Sequence, residues 1–158
     1  MLLITDQIHQ SIFTHAESTY PEECCGLLLG KITETAAQVI NIQVTENNWS
    51  GNRRNRFSIA PEVLLQAQKS ARENQLEIIG IYHSHPDQSA IPSEIDRQLA
   101  WSGYTYLIVS VVSGRAIDLQ AWQLDEGEQF QPVNIVVWLE IAISNPNPAT
   151  IRGNTDVD

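Results

Sequence analysis

The apolar positions of the chain change period several times, and each change predicts an element. Ile4, Ile8, Ile12, Phe13 and Ala16 recur at three- and four-residue spacing, which predicts an amphipathic helix ending near Tyr20-Pro21. Thr5 or Asp6 offers a capping oxygen at its start. Cys24 to Lys31 (CCGLLLGK) is a short apolar run set among glycines and reads as a central strand. Gln38 to Val44 alternates, predicting a second strand. Residues 45–55 (TENNWSGNRRN) form a polar loop, and Phe57-Ser58-Ile59 reads as a short strand before Pro61. Pro61 suits the first turn of a helix whose stripe is Val63, Leu64, Ala67 and Ala71.

Leu76 to Tyr82 is the next strand, and Ser93 to Trp101 the next helix. Tyr104 to Val112 and Ala116 to Leu124 are strands joined by the hairpin signal Ser113-Gly114-Arg115. Val133 to Ile143 is apolar, and periodicity alone does not decide between strand and helix. Residues 144–158 (SNPNPATIRGNTDVD) have no period and several turn-forming pairs, which predicts a flexible C-terminal tail. The order of elements predicts an α/β (α+β) fold in which one mixed β-sheet is flanked by helices. There are no repeats, so residues 1–143 are expected to form one domain and 144–158 the tail.

Composition narrows the function classes. The chain has 158 residues, 42% of them hydrophobic, enough for a core without staples. Its formal net charge is -10 and its sequence pI about 4.7, a field that repels phosphate backbones and argues against nucleic acid as a partner. The one basic cluster, Arg53-Arg54-Asn55-Arg56, reads as a solvated loop. Cys24 and Cys25 are adjacent and point to opposite faces of a strand, so they are not expected to pair. A chain without a useful disulfide fits a reducing, cytoplasmic compartment. The N-terminal residues show no signal-peptide pattern, and no apolar stretch is long enough to span a membrane.

The chemistry gathers at the end of the Leu76–Tyr82 strand. His83 and His85 are two residues apart, so strand alternation aims them the same way and turns Ser84 aside. Two neutral imidazoles make half of a metal site. Pro86 ends the strand, and Asp87 suits the turn that follows. Ser93 opens the next helix with Asp96 one turn inside it. Ser-x-x-Asp is by itself a capping-box pattern. Here it also brings a carboxylate back towards the histidines. Two imidazoles and one carboxylate leave an open position on tetrahedral zinc, the arrangement of catalytic sites. Hydrolysis further needs an acid outside the ligand set to carry a proton. Glu22 and Glu23 precede the CCGLLLG strand, and position does not choose between them.

Glu23-Cys24-Cys25-Gly26, His83-Ser84-His85-Pro86 and Pro92-Ser93-Glu94-Ile95-Asp96, with ten residues between His85 and Asp96, together resemble the JAMM (MPN-plus) zinc metalloprotease family. The likeness runs from about Thr5 to Val112 and takes in Tyr20-Pro21 and Arg56-Phe57-Ser58-Ile59. The resemblance implies a mostly antiparallel sheet of the JAB1/MPN, cytidine-deaminase-like architecture. It implies one catalytic zinc (Zn2+) on His83, His85 and Asp96, with Glu23 as general acid/base and Ser93 as the oxyanion donor. It further implies cleavage after a C-terminal Gly-Gly of a ubiquitin-like protein. In short prokaryotic members that partner is a sulfur carrier, from which an amino acid or C-terminal extension is released.

Two other readings stand beside this one: a non-catalytic MPN docking domain, or a zinc hydrolase of another substrate class. The first lacks metal ligands in the members that resemble it, whereas this chain keeps them. The His-x-Glu with Pro-Cys-x-x-Cys pattern of zinc deaminases and the His-Glu-x-x-His pattern of thermolysin-like proteases are absent. Asn47 to Asn55 and Asp87 to Ile91 are candidate flaps over the site.

Overall fold

The computed structural model describes residues 1–140. Strand β1 (Leu2–Thr5) leads into helix α1 (Asp6–Thr19), followed by β2 (Cys25–Ile32), β3 (Ala37–Thr45) and α2 (Pro61–Glu73). Then come β4 (Glu77–Pro86), α3 (Glu94–Leu99), β5 (Thr105–Val112), β6 (Arg115–Leu124), β7 (Phe130–Val133) and β8 (Ile135–Trp138). The strands form one sheet in the order β7-β6-β5-β4-β2-β3-β1-β8. The β2–β3, β2–β4, β5–β6 and β6–β7 pairs are antiparallel, while β4–β5, β1–β3 and β1–β8 are parallel. The sheet is therefore mixed and mostly antiparallel, as expected.

Helix α1 begins where the sequence allows a cap. The Thr5 hydroxyl accepts a hydrogen bond from the Ile8 amide at 3.1 Å. Its stripe of Ile8, Ile12 and Ala16 is buried with Leu28, Val39, Tyr82, Leu107 and Val109. Each fully buried Ile or Leu contributes roughly 1.5–3 kcal/mol, so this stripe fixes α1 to the sheet. The Tyr82 hydroxyl, at the core end of β4, meets His15 Nδ1 at 2.8 Å, so its burial leaves no polar atom stranded. Helix α2 carries Pro61 at its first turn and packs against β4. Its Leu64 lines a cavity with Ile81 and His83, on the sheet face opposite Tyr82 because adjacent strand residues alternate.

Several boundaries differ from the sequence expectation. Ile4 belongs to a strand, not to the first helix: β1 is only four residues long and lies between β3 and β8. So short an apolar run merges with a following helical stripe when read by period alone. Among the described residues, Phe57-Ser58-Ile59 pairs with no strand. Its extended backbone is held by the Asn47 side chain, which donates to the Arg56 carbonyl and accepts from the Ser58 amide. Strand β4 continues past Tyr82 to Pro86, so both histidines are strand residues. Helix α3 is shorter than expected, ending at Leu99. The undecided Val133–Ile143 stretch contains the end of β7 and all of β8. The proposed tail and the last residues of the expected domain lie outside the described residues. Among the described residues no helix is long and apolar enough to cross a membrane. Cys24 and Cys25 are both free and buried.

Gly80 marks one of the close backbone approaches in the sheet. A Cβ there would collide with the carbonyl oxygen of Thr105 on the parallel neighbour β5. Because that atom is backbone, relief requires the strands to separate. Gly80→Ala is expected to cost more than about 3 kcal/mol of unfolding free energy in denaturant titration. A loss below about 1 kcal/mol would show that the β4–β5 pair can yield.

Candidate active site

The site is assembled by three elements that meet on one face of the sheet. The first is the end of β4. The Nε2 atoms of His83 and His85 lie 3.1 Å apart, as i and i+2 residues of a strand should. The second is α3. Its N-cap is Ser93, whose hydroxyl accepts from the Asp96 amide at 3.1 Å, while the Ser93 amide donates to Asp96 Oδ2 at 2.7 Å. This reciprocal capping box fixes the Asp96 rotamer and points the carboxylate at the histidines. Asp96 Oδ1 is 3.3 Å from His83 Nε2, and Oδ2 is 3.2 Å from His85 Nε2.

The third element is β2. It runs antiparallel to β4 with Cys25 opposite His83. Continuing that register places Glu23 opposite His85, on the same face. The Ser84 hydroxyl, pointing to the other face, accepts from the Cys24 amide at 2.8 Å and pins this junction. Glu23 is buried at 6% exposure, whereas Glu22 is exposed. The Glu23 backbone is also held, its amide donating to the Arg53 carbonyl and its carbonyl accepting from Asn47 Nδ2. The expected polar loop 45–55 is thus tied to the site through Asn47.

The electrostatics follow from burial and close charges. Desolvation pushes the Glu23 carboxyl up to about 7, although His83 and His85 pull it partly back. Asp96 is also desolvated, but the His83 charge and the hydrogen bonds from His83, His85 and the Ser93 amide hold it well below the usual carboxylate range. For His85, burial opposes the charged form, yet the bonds to Asp96 and to the Ser89 carbonyl outweigh it and raise the pKa. Two carboxyls in one site therefore differ in character: Asp96 is a permanent anion, and Glu23 can hold or release a proton near neutrality. Burial drives the Cys24 and Cys25 thiols up, to about 12 and about 11, so neither is a nucleophile.

The donor set suits a metal ion. One ligand atom from each of His83, His85 and Asp96 lies within 4.8 Å of the others. Tetrahedral zinc with bonds of about 2.0–2.1 Å sets its ligand atoms about 3.3 Å apart, close to the three separations observed. His85 Nδ1 donates to the Ser89 carbonyl at 2.9 Å, which leaves Nε2 free to coordinate. The His83 ring stacks on Phe57 at 4.6 Å between centroids, and among the described residues its buried Nδ1 has no hydrogen-bond partner. Beside His83 and Asp96 opens a mostly apolar cavity of about 340 Å³, lined in part by Trp49, Phe57, Ile95, Leu99 and Trp101. Phe57, Ser84 and the Ser89 carbonyl carry no chemical signal in the sequence, since each matters only through a partner distant along the chain.

This fold and donor set belong to a known class. The family of prokaryotic homologues of the JAB domain matches residues 5–125, and the chain belongs to it. It is 31% identical to a desampylase of Haloferax volcanii over 144 residues, 86% of this chain and 96% of that protein. A desampylase of Pyrococcus furiosus is 28% identical, over 85% of this chain and 90% of that one. A solution structure of a protein from Desulfitobacterium hafniense superposes with a TM-score of 0.78 at 26% identity, covering 90% of this chain and 96% of the other.

Two measurements test the site without any substrate. Purified protein is expected to carry about one zinc per chain, and the His83→Ala, His85→Ala double variant none. Equal metal in both would show that these side chains are not the ligands. The metal-free protein should also report on Glu23. A carboxyl raised on folding stabilises the fold while protonated, and that contribution is lost as pH rises from about 4.3, its unfolded value, through about 7. Between about pH 5 and about pH 8 the wild type is expected to lose up to about 3 kcal/mol more than Glu23→Gln. Parallel curves would remove Glu23 from this role.

Proposed function

We propose that this chain is a zinc-dependent peptidase or isopeptidase that hydrolyses the bond after a C-terminal Gly-Gly of a ubiquitin-like protein. The desampylase relatives, matched along nearly their whole length, support this substrate class. The observation that carries the reading is a buried carboxyl, Glu23, set beside three convergent metal donors. We extend the reading to a sulfur carrier as the particular ubiquitin-like partner, with an amino acid or C-terminal extension as the released group.

His83, His85 and Asp96 would hold the zinc. When bound there, zinc supplies a Lewis acid for the scissile carbonyl and makes water acidic enough to react near neutral pH. Glu23 accepts the proton of the attacking water and delivers it to the departing nitrogen; a carboxyl titrating near 7 does both at neutral pH. Ser93 donates its O–H to the developing oxyanion. Its place as helix cap does not conflict with that donation, although the sequence alone suggests competition. In the cap the hydroxyl oxygen accepts from the Asp96 amide, and a hydroxyl keeps one proton to donate. Two glycines at the scissile end suit the approach, because they carry no side chains to meet the buried histidines. The apolar cavity beside His83 and Asp96 can then take the larger residues upstream.

Glu23→Gln is expected to retain zinc and lose about 10²–10⁴ in turnover. Unchanged turnover, or the same loss in Glu22→Gln instead, would overturn the assignment. Ser93→Ala should lose about 10²–10³ in kcat and about 1 kcal/mol of stability as a cap. Loss of stability without loss of kcat would make Ser93 a cap alone. Fusions of sulfur carriers carrying residues beyond Gly-Gly should be cut after the second glycine, as read by mass spectrometry. Cleavage of ubiquitin-like fusions but of no sulfur carrier would remove the narrower partner.

A further inference from the structure

The loop after the two histidines looks in the sequence like a candidate flap, but its backbone is tethered from Asp87 to Ala90. The Asp87 amide donates to the Val111 carbonyl at 2.6 Å, and the Asp87 carboxylate accepts from the Tyr20 hydroxyl and the Ser113 amide. The next three carbonyls in succession each accept from a different side chain. Ser110 Oγ donates to the Gln88 carbonyl at 2.6 Å, His85 Nδ1 to that of Ser89 at 2.9 Å, and Trp122 Nε1 to that of Ala90 at 3.0 Å. Ala90 is buried. Ser110 is the residue of β5 paired with His85. Trp122 sits on β6, the next strand of the sheet.

The middle bond of this series matters chemically. A neutral imidazole has one N–H, and on His85 acceptors at the two nitrogens compete for it. The Ser89 carbonyl takes it on Nδ1, whereas Asp96 Oδ2 at 3.2 Å and His83 Nε2 at 3.1 Å would take it on Nε2. Only the first choice leaves Nε2 with a lone pair for a metal. The carbonyl wins this competition only if it stays where it is. Ser89 lies outside regular secondary structure; beyond the Asp87 anchor, the bonds from Ser110 and Trp122 fix the carbonyls on either side of it.

We propose that Ser110 and Trp122 are positioning residues for His85. By fixing the carbonyls on either side of Ser89 they keep His85 in its Nδ1–H tautomer, with Nε2 presented to the metal position. The inference rests on the zinc reading for its consequence, metal affinity, but the tautomer is set by the protein alone. His83, whose Nδ1 has no hydrogen-bond partner among the described residues, is held by Phe57 stacking instead.

The test uses Trp122→Phe, which keeps an aromatic ring and removes the indole N–H, and Ser110→Ala, which removes one hydroxyl. In metal-free protein, ring nitrogen shifts from labelled histidine report the tautomer once the pH has been raised until the His85 ring holds a single proton. The wild type should show His85 as the Nδ1–H form. Each variant should show substantial Nε2–H form at His85 and zinc affinity about tenfold weaker in chelator competition. An Nε2–H wild type overturns the proposal, as does a His85 tautomer that stays put in the variants, whatever happens to affinity. Should Trp122→Phe fail to fold, Ser110→Ala decides by the same readouts. Wild-type protein that binds no zinc would sink the zinc reading, while the tautomer would still decide this one.

Discussion

The antiparallel pairing of β2 with β4 is the constraint on which the rest of the site depends. It sets Cys25 opposite His83, and so brings Glu23 next to a histidine pair that the chain alone leaves far away. The hydrogen bond from the Cys24 amide to the Ser84 hydroxyl, between residues 60 apart in sequence, holds the register where it matters most. A slip of one residue would turn Glu23 to the other face of the sheet. The glycines of these strands serve the same end. A side chain at Gly26 would strike the Tyr82 ring, and one at Gly80 the β5 backbone. Small residues therefore let the strands close around the site.

On that base the remaining parts fix the chemistry by burial and direction. The capping box of α3 orients Asp96, and Phe57 stacks on His83. The loop carbonyls hold His85. Low local polarity separates the two carboxyls: Asp96 stays ionised because histidines and an amide face it, and Glu23 is raised because desolvation outweighs its cationic neighbours. The apolar cavity opens beside His83 and Asp96, so it is continuous with the candidate metal position.

The elements most legible in the sequence were those whose hydrophobic pattern is long. The α1 stripe, the β2 run and the β5–β6 hairpin lie within a residue or two of the positions expected from period and turn chemistry. The misses share a cause. β1 and β7 are four residues long, too short to show a period, and exist because the sheet offers them a partner. The extended Phe57–Ile59 segment has strand-like residues but no strand beside it; a single side chain, Asn47, takes up its polar groups instead. At the site, His83 and His85 were legible because alternation is local, and Ser93 with Asp96 because a capping box is local.

What the sequence by itself determined was thus everything that depends on near neighbours: which residue types could bind a metal, that two of them face one way, and where a carboxylate would re-enter. The family likeness added specific residues to that local pattern. Tertiary structure alone decided which acidic side chain is buried beside the histidines: just before β2, Glu23 turns inward and Glu22 stays exposed. It also decided that the loop after Pro86 is tied down, because the donors that hold it, Ser110 and Trp122, come from strands more than 20 residues onward. A proton-binding carboxyl near neutrality and an oriented imidazole both arise from desolvation and long-range hydrogen bonds, which no local pattern encodes.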